Sequence, residues 1–185
     1  RDGKNIVFAG GYRRTDKLPS EEGIYVVPSQ GGVARPIAID GIPLNPSWSP
    51  DGKRIAFTAY GPAGPGAKAG IWIVSSEGGS PKQITSDADQ VFENELRWSP
   101  DGKTIAYFGA DKTVRLIPSA GGPSRVLTHI PVVNYFLGLS WSPDGSKLVY
   151  TTIQKVWVIP ASGGEPQEVH VGFDGSRIMQ IDWSP

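Results

Sequence analysis

The chain has 185 residues, with 18 Lys plus Arg balancing 18 Asp plus Glu, and it holds 24 Gly, 17 Pro and no Cys. The even charge removes the basic footprint of a nucleic-acid or anionic-membrane binder, and no apolar run approaches the roughly 20 residues that span a bilayer. The missing Cys excludes disulfides, thiolate metal sites and a Cys nucleophile.

From the amino terminus, Arg1-Asp2-Gly3-Lys4 carries neither an initiator Met nor a signal-peptide pattern and reads as the start of a processed or excised piece. Short runs of β-branched and aromatic residues follow, each bounded by turn residues and none with helical periodicity. They are Ile6-Val7-Phe8-Ala9, Ile24-Tyr25-Val26-Val27 and residues 34–39, then Pro46-Ser47-Trp48, which enters Ser49-Pro50-Asp51-Gly52-Lys53. The series begins again with Ile55-Ala56-Phe57-Thr58, Ile71-Trp72-Ile73-Val74, residues 82–85 and Leu96-Arg97-Trp98. A third copy runs through Ile105-Ala106-Tyr107-Phe108, Val114-Arg115-Leu116-Ile117, residues 125–128 and Leu139-Ser140-Trp141. The fourth holds Leu148-Val149-Tyr150-Thr151, Val156-Trp157-Val158-Ile159, residues 167–171 and a last Trp-bearing stretch near residues 177–183.

The punctuation repeats as faithfully as the strands. Trp-Ser-Pro-Asp-Gly-Lys stands at residues 48–53 and 98–103, and as Trp-Ser-Pro-Asp-Gly-Ser at 141–146. The chain ends on the front half, Trp183-Ser184-Pro185, and starts on the back half, Asp2-Gly3-Lys4. Pro presets φ for the second turn position and Gly accepts the positive φ at its end, which makes a tight hairpin. Gly-Gly pairs at 31–32, 78–79, 121–122 and 163–164 do the same between the third and fourth strands. This use of Gly and Pro explains why they exceed a fifth of the chain, against a usual level of roughly 12%.

Four consecutive hairpin units predict an all-β protein: a β-propeller of four repeats, each a four-stranded antiparallel blade, about sixteen strands in one domain over residues 1–185. The repeats span approximately 1–48, 49–98, 99–141 and 142–185. Each sheet is apolar on both faces, so the units must cover one another. The ends are permuted, so the carboxy-terminal strand can complete the first blade. Three arrangements stay open: part of a longer propeller, two chains pooling four blades each, or a four-bladed ring.

The string Trp-Ser-Pro-Asp-Gly-Lys-x-Ile-Ala-Phe, followed by Ile-Trp-Ile-Val and Gly-Gly, resembles the WD-like propeller repeat of the TolB type, also found in propellers of prolyl oligopeptidase-like and tricorn-like peptidases. The resemblance covers essentially the whole chain. It departs only at Arg1, in place of the turn proline, and Ser146, in place of Lys. It implies a non-catalytic scaffold for a protein or peptide partner and a location in the periplasm or otherwise outside the cytoplasm. A second implication is the substrate-gating propeller of a serine peptidase whose catalytic domain lies elsewhere.

Binding is expected where connections are long and irregular, between first and second conserved strands after the Asp-Gly turn and before each Trp strand. Tyr12, Arg13, Arg14, Phe92, Glu93, Tyr135, Phe136 and Phe173 are the partner-binding candidates, because loop aromatics and arginines supply interface hot spots. Asp87, Asp89 and Glu93, with Asn94 and Glu95, form an acidic stretch that is a weak cation candidate and ordinarily a solvated turn. His129 and His170 take equivalent places at strand ends, and repeat equivalence explains them without a metal. A metal-dependent enzyme built on these groups is the third reading. No Gly-x-Ser-x-Gly, His-Glu-x-x-His or phosphate-cradling Gly loop occurs, so no catalytic residue and no cofactor is expected. The six Trp residues, at 48, 72, 98, 141, 157 and 183, fall at fixed repeat positions and are assigned to packing.

Overall fold

A computed structural model describes residues 3–12, 21–38, 42–60, 69–86, 91–130, 138–152, 154–172, 178 and 181–184. Among them are fifteen strands and no helix, and no helix long and apolar enough to cross a membrane. The chain forms two compact units, Arg1–Glu93 and Asn94–Pro185.

The first unit holds one sheet of β1 (Asn5–Tyr12), β2 (Glu21–Pro28) and β3 (Arg35–Ala38), and one of β4 (Ile42–Trp48), β5 (Arg54–Tyr60), β6 (Ala69–Ser75) and β7 (Lys82–Gln83). A third sheet contains β8 (Val91–Trp98), β9 (Thr104–Gly109), β10 (Thr113–Pro118) and β11 (Arg125–His129). The fourth contains β12 (Leu139–Trp141), β13 (Lys147–Thr151), β14 (Val156–Pro160) and β15 (Gln167–Val169). Neighbours in sequence are neighbours in each sheet, paired antiparallel. These are the meanders that the repeat predicts.

Middle strands are covered on both faces. Ile55, Ala56, Phe57 and Thr58 of β5 are all buried, as are Ile105 to Phe108 of β9 and Leu148 to Thr151 of β13. Such strands cannot be half-solvated, so sheets must stack. In the first unit Ile24, Val26 and Ile37 pack with Ile55, Phe57 and Val74 from the next sheet. In the second unit Tyr150 is buried between sheets, and its phenol pKa is pushed up to about 12 by desolvation, against a hydrogen bond with Thr128.

Ser-Pro-Asp-Gly closes each first hairpin by a shared set of bonds. Gly52 N–H donates to Ser49 O at 2.9 Å, and Gly52 sits at φ 69°. The serine hydroxyl does more than the turn chemistry requires: Ser49 Oγ donates to Asp51 Oδ1 at 2.6 Å and accepts from Arg54 N–H at 2.9 Å. Ser99 and Ser142 repeat this with Asp101 and Asp144 at 2.6 Å. At the Gly-Gly turns, Gly31, Gly78, Gly121 and Gly163 each donate to a carbonyl three residues back at 2.9 Å.

Fifteen strands occur among the described residues, three of them in the first sheet, and the stretch near residues 177–183 expected to hold a sixteenth lies partly outside the described residues. Three expectations need correction. The Trp strands β4 and β8 start earlier than predicted. Pro43 and Pro46 disguise β4 in the sequence; a bulge between Leu44 and Ser47, with Asn45 at φ 51°, absorbs them. The second and fourth copies have short last strands, Lys82–Gln83 and Gln167–Val169, on exposed outer edges. Finally, the connections expected to be long are tight in the last two copies. Lys112, at φ 63°, lets its N–H reach Gly109 O at 3.1 Å, and Thr152 N–H reaches Lys155 O at 2.9 Å.

Candidate functional site

Each antiparallel meander has two ends. One carries the Ser-Pro-Asp-Gly and Gly-Gly turns, the other the connections of unequal length. At the second end, Tyr12 closes β1, where its backbone pairs with Glu21, and Phe92 and Glu93 lie inside β8. These three are therefore strand residues at the border of the connections, not loop residues as the sequence implied. Arg13, Arg14, Asp87, Asp89, Tyr135, Phe136 and Phe173 lie outside the described residues. His129 ends β11 paired with Thr113, and His170 follows β15; both are exposed. No group of three His, Cys, Asp or Glu that could hold a metal occurs among the described residues.

Glu95 of the acidic stretch is not a free oxygen ligand. Its carboxylate meets Arg97 Nη2 at 2.8 Å and accepts from Leu139 N–H at 3.2 Å. The Trp strands of the second unit are thereby laced together by polar groups, with Leu96 and Trp98 buried on the alternate face. Ser140 Oγ adds a bond to Asp182 Oδ1 at 2.5 Å. Nearer the connection end, Arg115 donates to Asp111 Oδ2 at 2.8 Å and to Ser124 Oγ at 2.9 Å. Arg115 holds the Asp111 carboxyl below its usual range, with Thr113 assisting.

The other end holds a cleft that sequence reasoning missed. It encloses about 350 Å³ in the second unit, between the turns of the third and fourth sheets, lined by Ser99, Asp101, Arg125, Trp141, Asp144 and Ala161 among others. Arg125 reaches over it to donate to Ala161 O. The first unit repeats this clamp: Arg35 Nη1 and Nη2 donate to Glu77 O at 3.1 Å and Ser76 O at 3.0 Å. The available signal is the recurrence of Gly-Gly-x-x-Arg at 31–35 and 121–125.

Chemically the cleft is quiet. The Ser142 hydroxyl, then Ser146 through its amide and hydroxyl, hold the Asp144 carboxyl down at about 2. Ser99, then the Lys103 amide, lower Asp101. Carboxyls so acidic stay ionised near neutrality and transfer no proton there. The serine hydroxyls already donate to these carboxylates, and no His lines the space, so no base activates them as nucleophiles. What this end offers is shape and fixed charge.

A family model described as the dipeptidyl peptidase IV (DPP IV) N-terminal region matches residues 1–119. Tricorn protease homolog 1 of Streptomyces coelicolor is 29% identical over 121 residues, which is 61% of this chain and 11% of that protein. The chain therefore spans about a ninth of that relative's length. Among solved structures, the putative TolB from Agrobacterium tumefaciens superposes with TM-score 0.67 at 19% identity, covering 88% of this chain and 60% of that one. The β-propeller domain of the trilobed protease from Pyrococcus furiosus gives 0.60 at 16% identity, over 96% and 56%. These likenesses show the fold, a β-propeller of the TolB and prolyl oligopeptidase-like kind.

Proposed function

The chain belongs to the dipeptidyl peptidase IV N-terminal region family, and on that premise we propose that it is a non-catalytic propeller scaffold that binds a protein or peptide at the connections opposite its Ser-Pro-Asp-Gly turns. One observation carries this reading. The turn end spends its polar atoms on itself, in the same pattern three times over, whereas the opposite connections differ from copy to copy. Rigid sheets that present variable connections are a recognition design. Tyr12 and Phe92 border those connections, and Tyr135 and Phe136 fall within them. Peptides selected on the wild-type chain from a random display library test the reading. Ala at all four aromatics should weaken their binding at least tenfold with an unchanged melting temperature. Undiminished binding would remove the site from that end.

The family itself favours a second reading, in which the propeller gates substrate access to a separate hydrolase domain. Hydrolysis of peptides by the parent protein, with size selectivity lost when these sheets are deleted, would favour gating over simple scaffolding. A place outside the cytoplasm is part of the proposal, supported by the likeness to TolB; fractionation of the producing cells checks it. We read the four sheets as blades, and the first takes a fourth, Trp-bearing strand.

A further inference from the structure

The cleft of the second unit is walled by two complete four-stranded sheets, the third and the fourth. Their turns meet at two points. On the inner side the Ser-Pro-Asp-Gly turns pack together, since a Cβ at Gly145 would stand 3.5 Å from Pro100 Cδ. On the outer side Arg125, which opens β11, donates to Ala161 O in the turn after β14. Between these bridges lies an apolar wall, where Leu116, Ile117 and Trp141 are 4%, 0% and 9% exposed. The result is a slot of about 350 Å³ with rigid sides.

Its charges are sorted by end. Asp101 follows Pro100 and Asp144 precedes Gly145, so both carboxylates flank the inner bridge. Asp101 Oδ1 accepts from Ser99 Oγ at 2.6 Å and from Lys103 N–H at 3.0 Å. Asp144 Oδ1 accepts from Ser142 Oγ and Ser146 N–H at the same distances. These donors are neutral groups, which aim the negative charge without cancelling it. The outer end carries the opposite sign. Arg125 gives an N–H to a neutral carbonyl there, and a guanidinium has further N–H donors to offer. Asp101 stands beside β9 and Arg125 begins β11, with β10 between them. Two strand spacings of about 4.8 Å therefore separate the ends.

We propose that this slot binds a small zwitterion with its ammonium and carboxylate at opposite ends of an apolar body. The ammonium meets Asp101 and Asp144, the body lies on Leu116, Ile117 and Trp141, and the carboxylate takes the free side of the Arg125 fork. Charge complementarity selects this class over its neighbours. A plain amine leaves the guanidinium unanswered, and a plain carboxylic acid must lie near two carboxylates. A neutral apolar molecule strips water from all three charges and returns nothing. The slot is at the small end of the roughly 300–1,000 Å³ of ligand pockets, which suits a molecule of this kind and excludes a folded partner. It lies at the end of the sheets opposite the connections assigned to peptide binding, so the two sites stand or fall separately.

Calorimetric titration of the whole chain with 6-aminohexanoic acid tests the proposal, with hexylamine and hexanoic acid as its two halves. The zwitterion should bind saturably with a Kd of about 1 mM, in keeping with so few atoms. Each half should bind at least about tenfold more weakly, because it answers one end only. Arg125→Met should lower zwitterion affinity to that of hexylamine while leaving hexylamine itself no weaker, a split that general loosening of the fold would not produce. A readout on wild type needs no variant: in amide NMR spectra, shifts on adding 6-aminohexanoic acid should concentrate at Leu116, Ile117, Gly145 and Ala161. Half-ligands that bind as tightly as the zwitterion, shifts confined to residues outside the cleft, or no saturation at about ten times the expected Kd would each overturn the proposal.

Discussion

The indole nitrogen of Trp141 donates to the carbonyl oxygen of Arg97, 44 residues earlier, at 3.1 Å. That single bond ties the first strand of the fourth sheet to the first strand of the third. Trp141→Phe keeps an aromatic ring and removes the donor, so it should cost about 0.5–1.5 kcal/mol, the net worth of the lost hydrogen bond. Trp72→Phe is the internal control, since the Trp72 indole N–H has no acceptor among the described residues. Urea denaturation of both variants checks this, with the larger loss at Trp141; equal losses would assign the effect to ring volume alone.

The turn serine carries a cost of its own. Ser99 is buried, donates to Asp101 Oδ1 at 2.6 Å and accepts from Thr104 N–H at 3.0 Å. Ser99→Ala leaves that amide without its acceptor and should destabilise by about 1–2 kcal/mol. Ser99→Thr should recover part of the loss by restoring the hydroxyl. A stability change in Ser99→Ala below a few tenths of a kcal/mol, by denaturant titration, would contradict the staple.

The same turns fix how stability depends on acid. Asp51, Asp101 and Asp144 all have folded pKa values held below the ordinary carboxyl range, chiefly by hydrogen bonds from Ser49, Ser99 and Ser142. A depressed folded pKa means a contribution present above the unfolded value of about 3.9 and lost as pH falls through the folded value. For Asp144 that folded value is about 2. The melting temperature should therefore be nearly level from pH 7 to 5 with respect to these groups and fall between about pH 4 and 2. Asp144→Asn should flatten part of that fall, as read by calorimetry across the range.

Local chemistry made most of this fold legible. The Ser-Pro-Asp-Gly and Gly-Gly turns reveal themselves because every bond that closes them lies within six residues. The strands between them follow from their β-branched and aromatic content. Reading fails where a strand is punctuated by its own bulge, as at Pro43 and Pro46, or where charge masks it. Glu93 and Glu95 make the front of β8 look like loop, although Glu95 precedes buried Leu96 and is neutralised by Arg97. It fails again where the partner is a distant backbone carbonyl, since a recurring Gly-Gly-x-x-Arg marks the arginine but not the carbonyl it reaches. The clamps of Arg35 and Arg125 are of that kind, and so is the cleft beneath Arg125.

Those clamps yield the last prediction. Arg35 sends two N–H groups to consecutive carbonyls, Ser76 and Glu77, at the turn of the next sheet. The planar fork of guanidinium matches two acceptors side by side, which an ammonium cannot do. Arg35→Lys should therefore behave like Arg35→Met, each losing up to about 1 kcal/mol, since the group is exposed and hydrogen bonds there are weakened by water. The effect should be local. The amide of Gly78, bonded to Ser75 O at 2.9 Å, anchors the clamped turn, while Gly52, bonded to Ser49 O at the same distance, sits in a turn the clamp does not touch. Hydrogen exchange should quicken several-fold at Gly78 in both variants and stay unchanged at Gly52. Full protection of Gly78 in Arg35→Lys would show that charge alone suffices and that the fork geometry is incidental.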